Sequence, residues 1–176
     1  MTVYEKFQSA ASEQGRLFHQ ECTNALKYAG FNITHPTGYV IESVGIEIDI
    51  VAQNKHGITM FFECKGSLRK SQKDRPGLER TDTIKKAIAN AYLFSLTEEY
   101  SCCSPLIIFA SHVPTGGSGL AMLSAMSRTL ILDIINPREH GGRLQWLANA
   151  DSDHIEDDIA DYTVADILRR RWFNCK

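Results

Sequence analysis

The sequence predicts an α/β domain in which a mixed central β-sheet is flanked by α-helices, and three observations point there. The apolar residues repeat at helical spacing up to Gly30 and at two-residue spacing after it. The segments then follow the order helix, strands, helix, strand, helix, strand. Finally, SPLIIFASH, residues 104–112, is a continuously apolar strand bounded by the loop VPTGGSG.

Taking the elements in order, Ala11, Phe18, Cys22, Ala25, Leu26 and Ala29 recur three and four apart, and Gly30 stands where a helix would stop. Residues 31–34, 38–44 and 45–66 are rich in β-branched and aromatic residues and read as strands. The stretch 67–76 is polar and basic and breaks at Pro76-Gly77. Residues 80–94 read as a second helix, capped by Thr81 or Thr83, with Ile84, Ile88, Ala91 and Leu93 on its buried side. After SPLIIFASH, GLAMLSAMS is a short helix and RTLILDII a strand, in which Asp133 is expected near an edge or end. A last helix is expected over 155–172.

At 176 residues and 43% hydrophobic content the chain suits one domain with a sizeable core. No run of eighteen apolar residues exists, and the start, MTVYEKFQSAASEQGR, has neither the basic opening nor the apolar block of a signal peptide. The expectation is an intracellular, cytoplasmic protein with no membrane span. Its five cysteines are odd in number and scattered, which suits buried thiols better than a disulfide framework or a CxxC metal site. The VPTGGSG loop lacks a Walker lysine and reads as a tight turn, the six histidines show no ligand spacing, and Ser111 and Ser118 sit in no nucleophile motif.

The chemistry concentrates in residues 45–66, GIEIDIVAQNKHGITMFFECKG. Residues two apart on a strand share a face, which groups Glu47 with Asp49 and Glu63 with Lys65. Ile46, Ile48, Ile50, Phe62 and Cys64 then form the apolar reverse side. A hairpin loop of Lys55, His56 and Gly57 pairs Asn54 with Ile58, and counting back sets Asp49 opposite Glu63 and Glu47 opposite Lys65. Facing carboxylates repel unless something positive lies between them, and oxygen ligands with waters suit magnesium or manganese. With Lys65 on the same face to steady charge on a phosphate, the implied chemistry is metal-assisted hydrolysis of a phosphodiester. Glu47 opposite Lys65 also reads as an ordinary cross-strand ion pair.

An Asp on one strand, a hairpin, then Glu-x-Lys on the next, after a helix ending in Gly-aromatic, resembles the PD-(D/E)XK nuclease superfamily, the restriction-endonuclease-like fold. The resemblance runs from Gly15 to Phe94 and is sharpest in IEIDIVA and FFECKG. It implies a magnesium- or manganese-dependent enzyme that cuts DNA, with Asp49 and Glu63 as metal ligands, the backbone carbonyl of Cys64 as a further ligand and Lys65 as the catalytic lysine. The family often adds a first-helix glutamate in a Gly-x-x-Phe-Glu pattern. Gly15-Arg-Leu-Phe18 matches, but His19 follows, and Glu21 holds the expected chemistry two residues on. His19 and Glu21 fall on opposite margins of the apolar stripe.

Net charge is -2, unevenly spread: residues 65–86 hold eight basic residues against three acidic ones, and 151–166 hold seven acidic residues and no lysine or arginine. Arg69, Lys70, Lys73, Arg75, Lys85, Lys86 and Asn90 are candidate nucleic-acid contacts, since phosphates flanking a cut need neutralising. Solvated faces are the plain alternative. The domain is read as residues 1–150, with 151–176 an acidic C-terminal helical extension packed on it. Cutting both strands often uses two copies of a site, which makes a homodimer an expected assembly. The competing reading is a catalytically inactive nucleic-acid-binding or protein-interaction module on the same fold, its acidic segment docking a protein partner or covering the basic cleft.

Overall fold

A computed structural model describes residues 3–67, 75–101 and 103–173, with side chains of the first helix from Ser12 onward. Helix α1 (Val3–Ala29) is followed by strands β1 (Asn32–His35), β2 (Tyr39–Ile41), β3 (Ile46–Ile48), β4 (Ile50–Gln53) and β5 (Thr59–Lys65). A 3-10 turn (Gly77–Glu79) leads into α2 (Thr81–Phe94), then β6 (Leu106–Ala110), α3 (Gly117–Ser124), β7 (Ile131–Ile135), α4 (Gly141–Asn149), α5 (Ser152–Asp161) and α6 (Val164–Ile167). A π-helical turn, Leu168–Phe173, ends the described chain.

The central sheet has five strands in the order β1-β4-β5-β6-β7, antiparallel from β1 to β5 and parallel from β5 to β7. It is therefore a mixed sheet between two helical layers, each layer closing its own core. On one face Ile84, Ala87, Ala91 and Phe94 of α2, Leu123 of α3 and Val164 of α6 pack on Phe61, Ile108 and Ile134. On the other, Phe18, Cys22 and Leu26 of α1, Leu144 and Leu147 of α4 and Ile155 of α5 pack on Phe62, Phe109 and Leu132. Neighbouring strand residues Phe61 and Phe62 thus feed opposite cores, as a period of two requires.

The first helix ends at Gly30, whose φ of 101° lies in the left-handed region that glycine adopts freely. The ribbon, by contrast, is not one straight hairpin. It breaks at Asp49: β3 leaves to pair with β2 in a separate two-stranded sheet, while β4 stays with β5. Ile46 and Ile48 enter the α2-side core and Ile50 and Ala52 the α1-side core. Because both sheet faces are apolar, alternation alone does not say which core each isoleucine serves, and the kink lets one stretch serve both.

Other expectations need correction. Neither Thr81 nor Thr83 caps α2; Arg80 stands at the cap without a side-chain bond, its guanidinium held by Asp82 at 3.0 Å. Ile88 and Leu93 are half-buried, and Ala87 and Phe94 complete the buried face instead. The expected last helix divides after Asp161, because Thr163 and Asp166 form a capping box that starts a new helix. Helix α4 lies in a stretch where the sequence suggested no element.

Asp133 is not at an edge or end of its strand but in the middle of β7 and fully buried. One oxygen accepts from Arg143 Nε at 2.6 Å, and the other from Ile134 N at 2.9 Å and from Arg171. Burial pushes this carboxyl up, but Arg143 and Arg171 outweigh it and hold the group below the usual carboxylate range. Arg143 continues to Asp158, which Arg128 also binds at 2.6 Å. The acidic block is therefore divided: Asp158 is an internal ion-pair partner, Asp151 caps α5, Asp166 caps α6, and Asp153, Asp157 and Asp161 are exposed.

β7 ends the sheet order, and side chains cover its outer edge. Arg128 Nε donates to Leu132 O at 2.9 Å and Trp172 Nε1 to Ile134 O at 3.1 Å, satisfying alternate carbonyls that would otherwise offer a pairing edge.

Gly77 fixes the approach to the end of β5. Its φ is 60°, and an added Cβ would lie 2.9 Å from Lys65 O and 3.0 Å from His112 N. Gly77→Ala is expected to cost about 1–3 kcal/mol, since left-handed strain and a backbone clash act together. Urea denaturation checks it, and an unchanged midpoint would contradict the crowding.

Candidate active site

β5 carries the site. Glu63 and Lys65 point to the α2 side and Cys64 to the α1 side. Gln53 pairs with Thr59 and Ile50 with Phe62, the last pair of the ladder, so that Asp49, one residue before it, lies near the Glu63 carboxyl. The Lys55–Gly57 loop that fixes this register closes through Asn54 N to Ile58 O at 3.1 Å, with Gly57 at φ 78°.

Glu63 is 2% exposed. Its Oε1 accepts from Asn90 Nδ2 of α2 at 3.0 Å and from Lys65 Nζ. Its Oε2 is buried and has no hydrogen-bond partner. Burial raises the Glu63 pKa, the Lys65 ammonium opposes that, and the Asp49 carboxylate adds to the rise. A buried carboxylate with one oxygen unmet is costly, which is the condition a bound cation would relieve.

Asp49 sits at the kink between β3 and β4. Its Oδ2 accepts from Cys64 N at 2.6 Å, a short charge-assisted bond that tethers the carboxylate to the strand bearing Glu63. His19 Nε2 lies 3.2 Å from Asp49 O. A carbonyl only accepts, so Nε2 carries the hydrogen and donates. The N–H and C=O of one strand residue point to the same side, so the Cys64 carbonyl also faces Asp49.

The sequence-named residues separate into groups. Asp49, Glu63, Lys65 and Asn90 come together, and His19 joins at the backbone of Asp49. Glu47 does not: β3 has left the ladder, and Glu47 pairs across from Val40, exposed, so it never stands opposite Lys65. Glu21 is bonded twice to Arg138, at 2.7 and 2.8 Å, on the far margin of α1. Lys86 is one turn before Asn90 on the same side of α2, whereas Lys85 lies about 140° round the helix; both are exposed, as is Arg75. Arg69, Lys70 and Lys73 lie outside the described residues.

Asn90, expected among the nucleic-acid contacts, instead holds Glu63 with its amide. Ser111 and His112, which follow β6 and sit in no catalytic motif, have a bracing role that the sequence does not reveal. Ser111 N donates to Lys65 O at 3.4 Å, Ser67 N donates to Ser111 Oγ at 3.2 Å, and Leu78 N donates to His112 O at 2.9 Å. Ser111 and His112 thereby brace the residues on both sides of the basic stretch against the end of β5.

Among the described residues no three His, Cys, Asp or Glu gather as a ready metal cluster. The donor set is two carboxylates and a backbone carbonyl, all oxygen, which fits magnesium or manganese completed by waters. The unmet Oε2 of Glu63 is the observation that supports the fit.

Comparison of the chain with protein-family models, with curated proteins and with solved structures gives no match. Among the described residues no helix is long and apolar enough to cross a membrane.

Proposed function

We propose that the chain is a divalent-cation-dependent nuclease of restriction-endonuclease-like fold that hydrolyses phosphodiester bonds in DNA. The reading rests above all on Glu63: a buried carboxylate oxygen without a partner, on a carboxyl whose other oxygen is held by Lys65 and Asn90, next to an Asp49 tethered to the following residue of the same strand. Asp49, Glu63 and the Cys64 carbonyl would hold magnesium or manganese. When bound, such an ion supplies Lewis-acid polarisation of the phosphate and a water acidic enough to act as nucleophile near neutral pH. Asn90 fixes the rotamer of Glu63, and the Cys64 N–H fixes that of Asp49. Lys65, 20% exposed, keeps its ammonium at the mouth of the site, where it can offset charge building on the phosphate. Arg75 and Lys86 are exposed cations available to neighbouring phosphates.

One observation favours the second reading, a non-cleaving binding module on the same fold. The first helix brings to Asp49 a histidine bonded to a carbonyl, in place of a carboxylate.

Supercoiled plasmid incubated with magnesium or manganese divides the two. The parent is expected to nick it, chelator to stop the reaction, and Lys65→Ala to slow it at least about 100-fold, the scale of losing one transition-state electrostatic partner. Binding without cleavage of plasmid, single strands, branched DNA or RNA in either metal would leave the module reading standing.

A further inference from the structure

A cavity of about 280 Å³ lies on the other side of β5 from the carboxylates, between α1 and the segments that follow β5 and β7. Gln14, Leu17 and Asn24 line it from one flank of α1, and Ser67 and Arg138 face them. It sits outside the carboxyl ends of parallel strands, where open α/β sheets hold ligands. Phe18 joins it to the site: an added Cβ on Gly66, the residue after Lys65, would meet the Phe18 ring at 2.2 Å, so ring and backbone are in direct contact. Ser67 is two residues beyond Lys65, about 7 Å of extended chain.

The lining is selective. Arg138 is already bonded at both Glu21 oxygens, so the wall carries no spare positive charge for a phosphate. The amides of Gln14, Gln20 and Asn24 offer donors and acceptors together. Leu17, 44% exposed, offers an apolar surface. A flat, uncharged ring with donors and acceptors on its edge suits this set, and the volume, near the lower limit for ligand pockets, admits a group of about that size. We infer that the cavity takes one unpaired nucleobase of the strand whose phosphate lies at Lys65, so that the protein prefers nucleic acid with an unstacked nucleotide beside the cut. This rests on the nuclease reading of the neighbouring carboxylates.

The test uses the full chain in EDTA, which suppresses cleavage, and fluorescence anisotropy with two labelled DNAs: a perfect duplex, and the same duplex carrying a single-nucleotide bulge. The parent is expected to bind the bulged DNA about tenfold tighter, the scale of one base–side-chain contact. Leu17→Ala/Asn24→Ala, at two exposed positions, is expected to lose that preference while keeping its duplex affinity and its circular-dichroism melting curve. Equal binding of the two DNAs by the parent, binding of neither, or a preference unchanged in the double variant would overturn the inference. Plasmid nicking with magnesium is read in parallel. Nicking without a bulge preference removes the cavity assignment alone, and a bulge preference without nicking removes catalysis alone.

Discussion

Glu63→Gln is expected to abolish cleavage and at the same time to raise the melting temperature at neutral pH. Gln keeps the shape and the bond from Asn90 but removes the charge that burial penalises. Because burial holds the folded-state pKa of Glu63 above the ordinary glutamate value of 4.5, its native protonated form contributes stability below that pH, and the contribution is lost as pH rises through the folded pKa. The variant should therefore match the parent at low pH, where Glu63 is protonated in both states, and exceed it at pH 7. Thermal melts across pH check the stability and plasmid nicking checks the activity. A less stable variant at pH 7 would mean that the ion pair with Lys65 outweighs burial, and Glu63 would then read as a structural partner of the lysine.

The second large effect lies far from the carboxylates. Arg143→Ala is expected to destabilise the fold by about 3–5 kcal/mol, lowering the melting temperature by about 10 °C, because it leaves Asp133 buried with one arginine fewer and deprives Asp158 of a partner. Asp133 has a folded pKa held down by Arg143 and Arg171, so its contribution is present above the ordinary aspartate value of 3.8 and is lost as pH falls through the folded pKa. The gap between parent and variant should be widest near neutrality and narrow below pH 3.8. Urea denaturation at pH 7 and pH 3 measures it, and a gap that stays constant would show that lost packing, including the Arg143 stack 4.1 Å over Trp146, explains the effect instead.

Much of this architecture was legible in the chain. The hairpin register from Asn54–Ile58 to Ile50–Phe62 followed from a three-residue loop ending in glycine, because turn length and the two-residue period act over a few neighbouring residues. The apolar stripe of α1 was legible for the same reason, and so were β6 and β7 as continuous apolar runs. Glu47 was misplaced because the ribbon kinks at Asp49, and the kink answers to two cores that local alternation cannot tell apart. Asp133 looked like an edge residue because its partners, Arg143 and Arg171, are 10 and 38 residues away and arrive only when α4 and the C-terminal turn dock.

The first-helix position shows the same division within a few residues. Sequence set His19 and Glu21 on opposite margins of one helix, a matter of 100° per residue. Which margin faces Asp49 was decided by how α1 lies across the sheet: His19 meets the Asp49 carbonyl, and Glu21 meets Arg138 beyond β7. By itself, then, the sequence determined the first helix, the apolar strands, their order and the register of the hairpin from Ile50 to Phe62, all set by steric rules between near neighbours. The tertiary structure alone decided which charges meet, which are buried and which oxygen is left without a partner, because those depend on distances between segments that only packing brings together.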